Sequence, residues 1–408
     1  MCLAYPPRLC RKACEIRWVF AFYGGFFVRY EKPPLTFDAQ ADQLISRGLI
    51  TDKTLLVDRL KHVNYYRLSG YLFPYRQEDN TFKPGTTFEK VWHRYSFDRH
   101  LRLVVMDAIE RIEVSVRTQL IYELAQSTGA FGYTDQDSLP NLKPDDYTRW
   151  IGEITKETLR SREMFVHHFR KKYGDSHEFL PLWMAGEIVS FGCTFTMYKG
   201  VSASIRNPLA AFYGVSEDVL TSWLQTINVI RNVCAHHSRL WNRELGVKPF
   251  IPRKNKYPQW HTPVEIPQNR IFGVLTILHY FLTIIAPQSK WKSRLYTLLN
   301  EYPEISRWSM GFPDNWKESP LWKDWAWQSS GPQNHFCSLS EDPSARSKEL
   351  DRRYILSKFR GRGERPFALT NVNCNHRIMP KHIHGIVCIT NIGANRRSPL
   401  PNSIVNAT

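Results

Sequence analysis

The chain has 408 residues, 42% of them hydrophobic and 13% aromatic, which is ample for a sizeable buried core. The formal net charge is +17, but residues 1–30 carry net +4 and residues 331–408 net +7, leaving +6 between them; that excludes a strongly cationic body and leaves two readings, a surface that contacts RNA or DNA phosphates or a merely solvated one. Eight cysteines, at 2, 10, 14, 193, 234, 337, 374 and 388, form no CxxC pair, which argues against a disulfide framework and points to a reducing cytosol.

Residues 1–27 put basic side chains ahead of an apolar run that continues from Trp18 to Val28. The run imitates a signal peptide, yet no small-x-small cleavage site follows, and a bilayer takes about 20 apolar residues. From Val28 the sequence VRYEKPPLTFDAQ reads like a natural start, since a valine codon can initiate. Residues 1–27 are accordingly read as a non-native leader. Asp52 is placed to cap a helix over 54–66, followed by the aromatic stretch NYYRLSGYLFPY, which Gly70 and Pro74 break up. The clearest helix spans Phe97 to Ala125, without Gly or Pro. Leu101, Val104, Val105, Ala108, Ile109, Ile112, Val116 and Leu120 recur in it at helical spacing. Glu113 and Arg117 sit i,i+4 on another face, readable as a surface pair or as the lining of a site. A polar loop covers 129–147, and helical segments follow at 148–173 and 182–199. Ser216, with Glu217 and Asp218 behind it, opens a further helix. IFGVLTILHYFLTII, 271–285, is too short to cross a membrane and reads as a buried helix. No strand alternation of strength precedes residue 330, so the body is predicted to be all-α, with residues 28–330 as one domain. Beyond 330 the sequence turns polar and turn-rich, and residues 331–408 read as an appended, poorly ordered tail.

The helix opened by Ser216 runs into RNVCAHHSRLWN, 231–242. Leu220, Leu224, Ile227, Arg231 and Cys234 fall on one stripe at about 100° per residue, so Arg231 interrupts an apolar face. A buried guanidinium without a partner is very costly, so Arg231 must be paired or must face a cleft. Asn232 and His236 share a different face. In a straight helix Arg231 and His236 diverge by about 140°, so bringing them together takes a bend or a two-fold partner. Functionally, these residues suit phosphodiester chemistry. Histidine exchanges protons near neutral pH, and arginine holds a phosphate and its developing charge. RNA supplies its own 2′-hydroxyl nucleophile, so the chemistry needs no metal and leaves a 2′,3′-cyclic phosphate and a 5′-hydroxyl. The other reading is structural: Arg231 makes a buried ion pair, and His236 and His237 are partly exposed helix-end residues.

Five stretches, KPPLTFDAQADQLISRGL (33–50), VNYYRLSGYLFPY (63–75), DAIERIEVSVRTQL (107–120), PLWMAGEIVSFG (181–192) and INVIRNVCAHHSRLWNREL (227–245), carry a collinear resemblance over about 28–310. They resemble the bacterial abortive-infection proteins of the AbiD/AbiF type, of the HEPN superfamily. The resemblance implies a HEPN-type helical bundle, here with an N-terminal helical extension, and a toxin-like role in phage defence. In nuclease members an R-x4–6-H motif is catalytic, usually across a homodimer. It falls here on Arg231 and His236, with Asn232 as the polar residue after the arginine. His237 also satisfies the spacing, so which histidine acts stays open. Some HEPN proteins bind RNA without cutting it.

Cys234 beside two histidines could suggest a thiol protease, but a cysteine on the apolar stripe reads as an inert core residue. Tyr65, Tyr66 and Tyr71 could stack on bases or belong to the core. In the tail, IMPKHIHGIVCIT resembles the metal-binding strand of the REP-associated tyrosine (HUH) transposases, with His382 and His384 in the His-x-His places. Alternate strand residues share a face, so these two could hold one divalent ion. That family's nucleophilic tyrosine follows the motif, whereas the last tyrosine here is Tyr354, so the tail reads as a truncated transposase fragment. Cys374, His376 and Cys388 add possible zinc ligands at a spacing that matches no familiar finger.

Together these readings describe a cytoplasmic phage-defence protein, a metal-independent endoribonuclease with no cofactor, acting on RNA through Arg231, Asn232, His236 and His237. A homodimer, restraint by an antitoxin protein or regulatory RNA, and no membrane association complete the expectation. The alternative is a non-catalytic RNA-binding or phage-sensing module of the same fold.

Overall fold

A computed structural model describes residues 31–323. The leader 1–27 and the tail 331–408, with His382 and His384, lie outside the described residues. Among the described residues the chain is helical, with two isolated bridges, Ile50 to Thr87 and Arg76 to Phe82, and no sheet.

Polar caps set the first helices. Thr36 Oγ1 accepts from the Ala39 amide to start α1 (Phe37–Ser46), and Asp52 accepts from the Leu55 amide at 2.7 Å to start α2 (Lys53–His62). The predicted helix 54–66 therefore stops early. Asn64 caps a separate α3 (Tyr65–Leu72), which runs through Gly70, and Pro74 falls in the short 3-10 turn that follows. Here the stretch expected to be broken is helical, because Leu68, Tyr71 and Leu72 are buried and their packing outweighs the glycine.

The axis of the fold is α4 (Phe88–Thr128), 41 residues and about 60 Å long, far longer than the predicted 97–125. Thr87 caps it, and Gly129, at φ 79°, ends it. It contacts helices before and after it in the chain: α3, then α7 (Leu182–Ile188), α8 (Phe191–Gly200), α9 (Ala203–Phe212), α10 (Glu217–Ala235), α11 (Ile271–Ile285) and α12 (Trp291–Glu301). Its buried residues, from Phe88 and Val91 through Asp98, Val105, Ile112 and Val116 to Leu124, fall mostly along one face. Between α4 and α7 lie α5 (Pro144–Arg160) and α6 (Met164–Tyr173). The expected segments 148–173 and 182–199 are thus each split in two, and α9, with Pro208 inside it, and α12 were not anticipated.

The apolar segment 271–285 is α11, buried against α4 and roofed by Phe312, Trp316 and Trp322. Thr276, inside this core, is satisfied by accepting from Trp322 Nε1 at 3.0 Å and donating to the Phe272 carbonyl. Gly273 is required there: a Cβ would meet the Pro267 carbonyl oxygen at 2.1 Å. Among the described residues no helix is long and apolar enough to cross a membrane.

Candidate functional site

The helix α10 delivers the RNVCAHHSRLWN segment. Ser216 precedes it, with Glu217 and Asp218 in the first turn, although the Ser216 side chain makes no capping bond. Leu220, Leu224, Ile227 and Cys234 are buried, as the stripe requires. The helix ends at Ala235, one residue before the histidines, rather than running through them. Its end is a Schellman motif: the His237 amide donates to the Cys234 carbonyl and the Ser238 amide to the Val233 carbonyl, both at 2.9 Å. The residue that must turn left-handed in this motif is usually glycine, yet here it is His237, at φ 55°. A side chain in that region costs on the order of 1 kcal/mol. The two amide bonds hold that strained turn, and with it the base of the imidazole, in place. His236, just before it, lies near the bridge region (φ −86°, ψ 10°), and its amide donates to the Asn232 carbonyl. His236, His237 and Asn232 are all exposed.

Arg231 goes elsewhere. Its Nε donates to Glu113 Oε1 at 3.3 Å, and its side chain is 34% exposed. It is both paired and open to a groove of about 360 Å³, lined by Leu103, Met106, Asp107, Glu110, Glu113 and Arg231. The groove's charge is predominantly acidic. Burial pushes the Glu113 carboxyl above the usual carboxylate range, against the opposing pull of Arg231 and Arg117. Asp107 is engaged by Arg294 at 2.5 Å and by Arg111 at 3.5 Å. The sequence spacing pairs Glu113 with Arg117; in the fold Glu113 turns to Arg231, while Arg117 donates to the Val189 carbonyl. Asn232, His236 and His237 are not part of the groove lining, so a single chain does not gather the four motif residues around one cavity.

What holds the histidine turn in place is a buried polar cluster that sequence reading missed. Asp98, fully buried on α4, accepts from Tyr71 Oη at 2.6 Å and from Arg102 Nη1 at 2.5 Å. It also accepts from the backbone amides of Leu240, at 3.1 Å, and Trp241, at 2.7 Å. Arg102 reaches the Ser238 carbonyl as well. From α3, Arg67 donates to the His237 carbonyl, and Arg239 returns a bond to the Gly70 carbonyl at 2.6 Å. Arg94 lies over the rings of both Tyr75 and Trp241. Residues 237–241 are therefore tied to α3 and α4 by side chains and backbone alike. Asp98 lies two turns before Val105 on one azimuth, inside the buried face of α4; an i,i+4 Asp–Arg pair there was the available signal.

Cys234 is a free, buried thiol that burial pushes up to about 12, so it is not a nucleophile at neutral pH. Of the three tyrosines, Tyr71 is core, Tyr65 is half-buried and Tyr66 is 85% exposed. No cluster of three or more potential metal ligands occurs among the described residues.

Residues 58–242 match the model of a family described as Abi-like protein. No curated protein and no solved structure matches the chain.

Proposed function

We propose that this chain, whose residues 58–242 match the Abi-like protein family, has the abortive-infection role which that match supports and is a HEPN-type endoribonuclease using Arg231 and the histidines of R-x4-H. The observation that carries this reading is the strained turn: His237 occupies a glycine position, and two exposed imidazoles stand side by side on a rigidly braced segment. Braced imidazoles suit proton transfer to and from a 2′-hydroxyl and a 5′-leaving oxygen. His236 or His237 serves as general base or acid, and Asn232, one turn before His236, orients the histidine or Arg231 by hydrogen bonding. Arg231 balances the negative charge that develops on the phosphate. Because Arg231 faces an acidic groove away from the histidines, the working site is composite: two copies abut, and the arginine of one serves the histidine of the other.

A second reading has its own support. Arg231 already has a carboxylate partner in an acidic groove that repels phosphate, which takes it out of catalysis, as in a module that senses phage, or binds RNA on another face, without cutting. Growth on induction separates the two. Wild type arrests cells and Arg231→Ala and His236→Ala do not, under the nuclease reading; three equally toxic proteins would rule that reading out.

A further inference from the structure

Tyr66 and Phe73 are among the most exposed large side chains in the described body, at 85% and 67%. They lie seven residues apart on α3 and its helical continuation, so they share one face about 10 Å apart. Gly70 lies between them and leaves the floor open: a Cβ there would meet nothing closer than Arg239 Nη1 at 3.9 Å. This face adjoins the histidine turn. Arg67, next to Tyr66, bonds the His237 carbonyl, and Arg239 bonds the Gly70 carbonyl. Segments 64–76 and 236–243 together hold four arginines, Arg67, Arg76, Arg239 and Arg243, and two histidines, and the exposed acids nearest in sequence, Glu78, Asp79 and Glu244, lie just beyond their ends. The acid beneath these segments, Asp98, is fully buried and engaged by Arg102. An exposed aromatic pair set in cationic surroundings matches a nucleic-acid strand in both charge and shape.

We infer that Tyr66 and Phe73 form a stacking platform for unpaired RNA bases, with Arg67, Arg239 and Arg243 along the phosphates, which leads a single strand to the His236–His237 turn. The inference deepens the ribonuclease reading and rests on its choice of RNA as ligand. Ring separation is about three times the 3.4 Å rise of a strand, so each ring takes its own base. Stacking is tolerant of sequence, so the platform selects single-stranded over duplex RNA rather than one motif.

The test is anisotropy titration of the full chain with a short single-stranded 2′-O-methyl oligoribonucleotide, which lacks the free nucleophile and survives any nuclease. Tyr66→Ala and Phe73→Ala should each weaken binding about 5- to 100-fold, and Tyr66→Phe should restore it, because the ring face and not the hydroxyl does the work. Affinity for a duplex of the same sequence should be much weaker and insensitive to all three changes. Wild-type failure to bind, or alanine variants binding like wild type, would overturn the platform. So would variants that change only the sedimentation mass, which would make this face a protein contact. Cutting of unmodified RNA is read separately: binding without cutting leaves the platform standing and removes the nuclease, and cutting that ignores both rings does the reverse.

Discussion

Replacing Asp98 by asparagine removes the charge around which the histidine segment is organised. The carboxylate takes Tyr71 Oη, Arg102 Nη1 and the amides of Leu240 and Trp241, all in the interior. Asparagine keeps the shape but presents an NH2 group to donors and leaves Arg102, only 7% exposed, without its counter-charge. Breaking one partner of a buried pair costs about 3–5 kcal/mol, and at about 2–4 °C per kcal/mol for a body of this size the melting temperature falls by about 6–20 °C. Burial raises the Asp98 carboxyl above the usual carboxylate range, against the downward pull of Arg102, Tyr71 and the two amides. If the rise were large enough for Asp98 to carry a proton at neutral pH, asparagine would be nearly isosteric. The assay is thermal and urea unfolding of Asp98→Asn, Arg102→Met and the double variant. The double variant should be less destabilised than the sum of the singles by about 1–3 kcal/mol, since no unpaired charge remains. A loss under about 1 kcal/mol in Asp98→Asn, or strict additivity, would refute an ionised clamp.

His237→Gly should raise stability by about 0.5–1 kcal/mol, because relief of the left-handed conformation exceeds the entropy glycine adds to the unfolded chain, while RNA cleavage falls; a melt and a cleavage assay on one preparation read both. Glu113 is raised by burial, so its favourable contribution is present below the ordinary carboxylate range and lost as pH rises through its shifted value. Glu113→Gln should therefore shift neutral-pH stability by no more than about 1 kcal/mol and flatten the acid-side pH dependence. The same change frees Arg231 for phosphate, so RNA affinity should rise; a fall would place Glu113 among the groups that favour binding. The Cys234 thiol, raised to about 12, should resist alkylation at pH 8 until the protein unfolds, as followed by mass spectrometry.

Two patterns were readable in the chain, an apolar run buried on nearly every side and a helix with one buried stripe. Ile271–Ile285 matched the apolar run, and α10 matched its Leu220–Leu224–Ile227–Cys234 stripe. The first turns of α4 were hidden because Trp92, His93, Arg94, Tyr95 and Ser96 carry polar or amphipathic side chains instead of a plain apolar period, and the continuity through Gly70 because a glycine marks a break until the packing of Leu68, Tyr71 and Leu72 is known. The need to pair or expose Arg231 followed from its place on an apolar stripe, but its partner did not. Glu113 is 118 residues away, and within its own helix Arg117 was the nearer candidate. The His237 turn was hidden for a different reason. A Schellman end is usually marked by glycine, and a histidine there carries no such mark until its φ is known.

The most direct measurement is incubation of the purified protein with end-labelled single-stranded RNA in EDTA, with Arg231→Ala, His236→Ala and His237→Ala alongside. Wild type should yield fragments ending in 2′,3′-cyclic phosphate and 5′-hydroxyl. Arg231→Ala and at least one histidine variant should cut about 10²- to 10⁴-fold more slowly. Intact RNA with wild type, or equal cutting by all four proteins, would contradict a nuclease built on this arginine and these histidines.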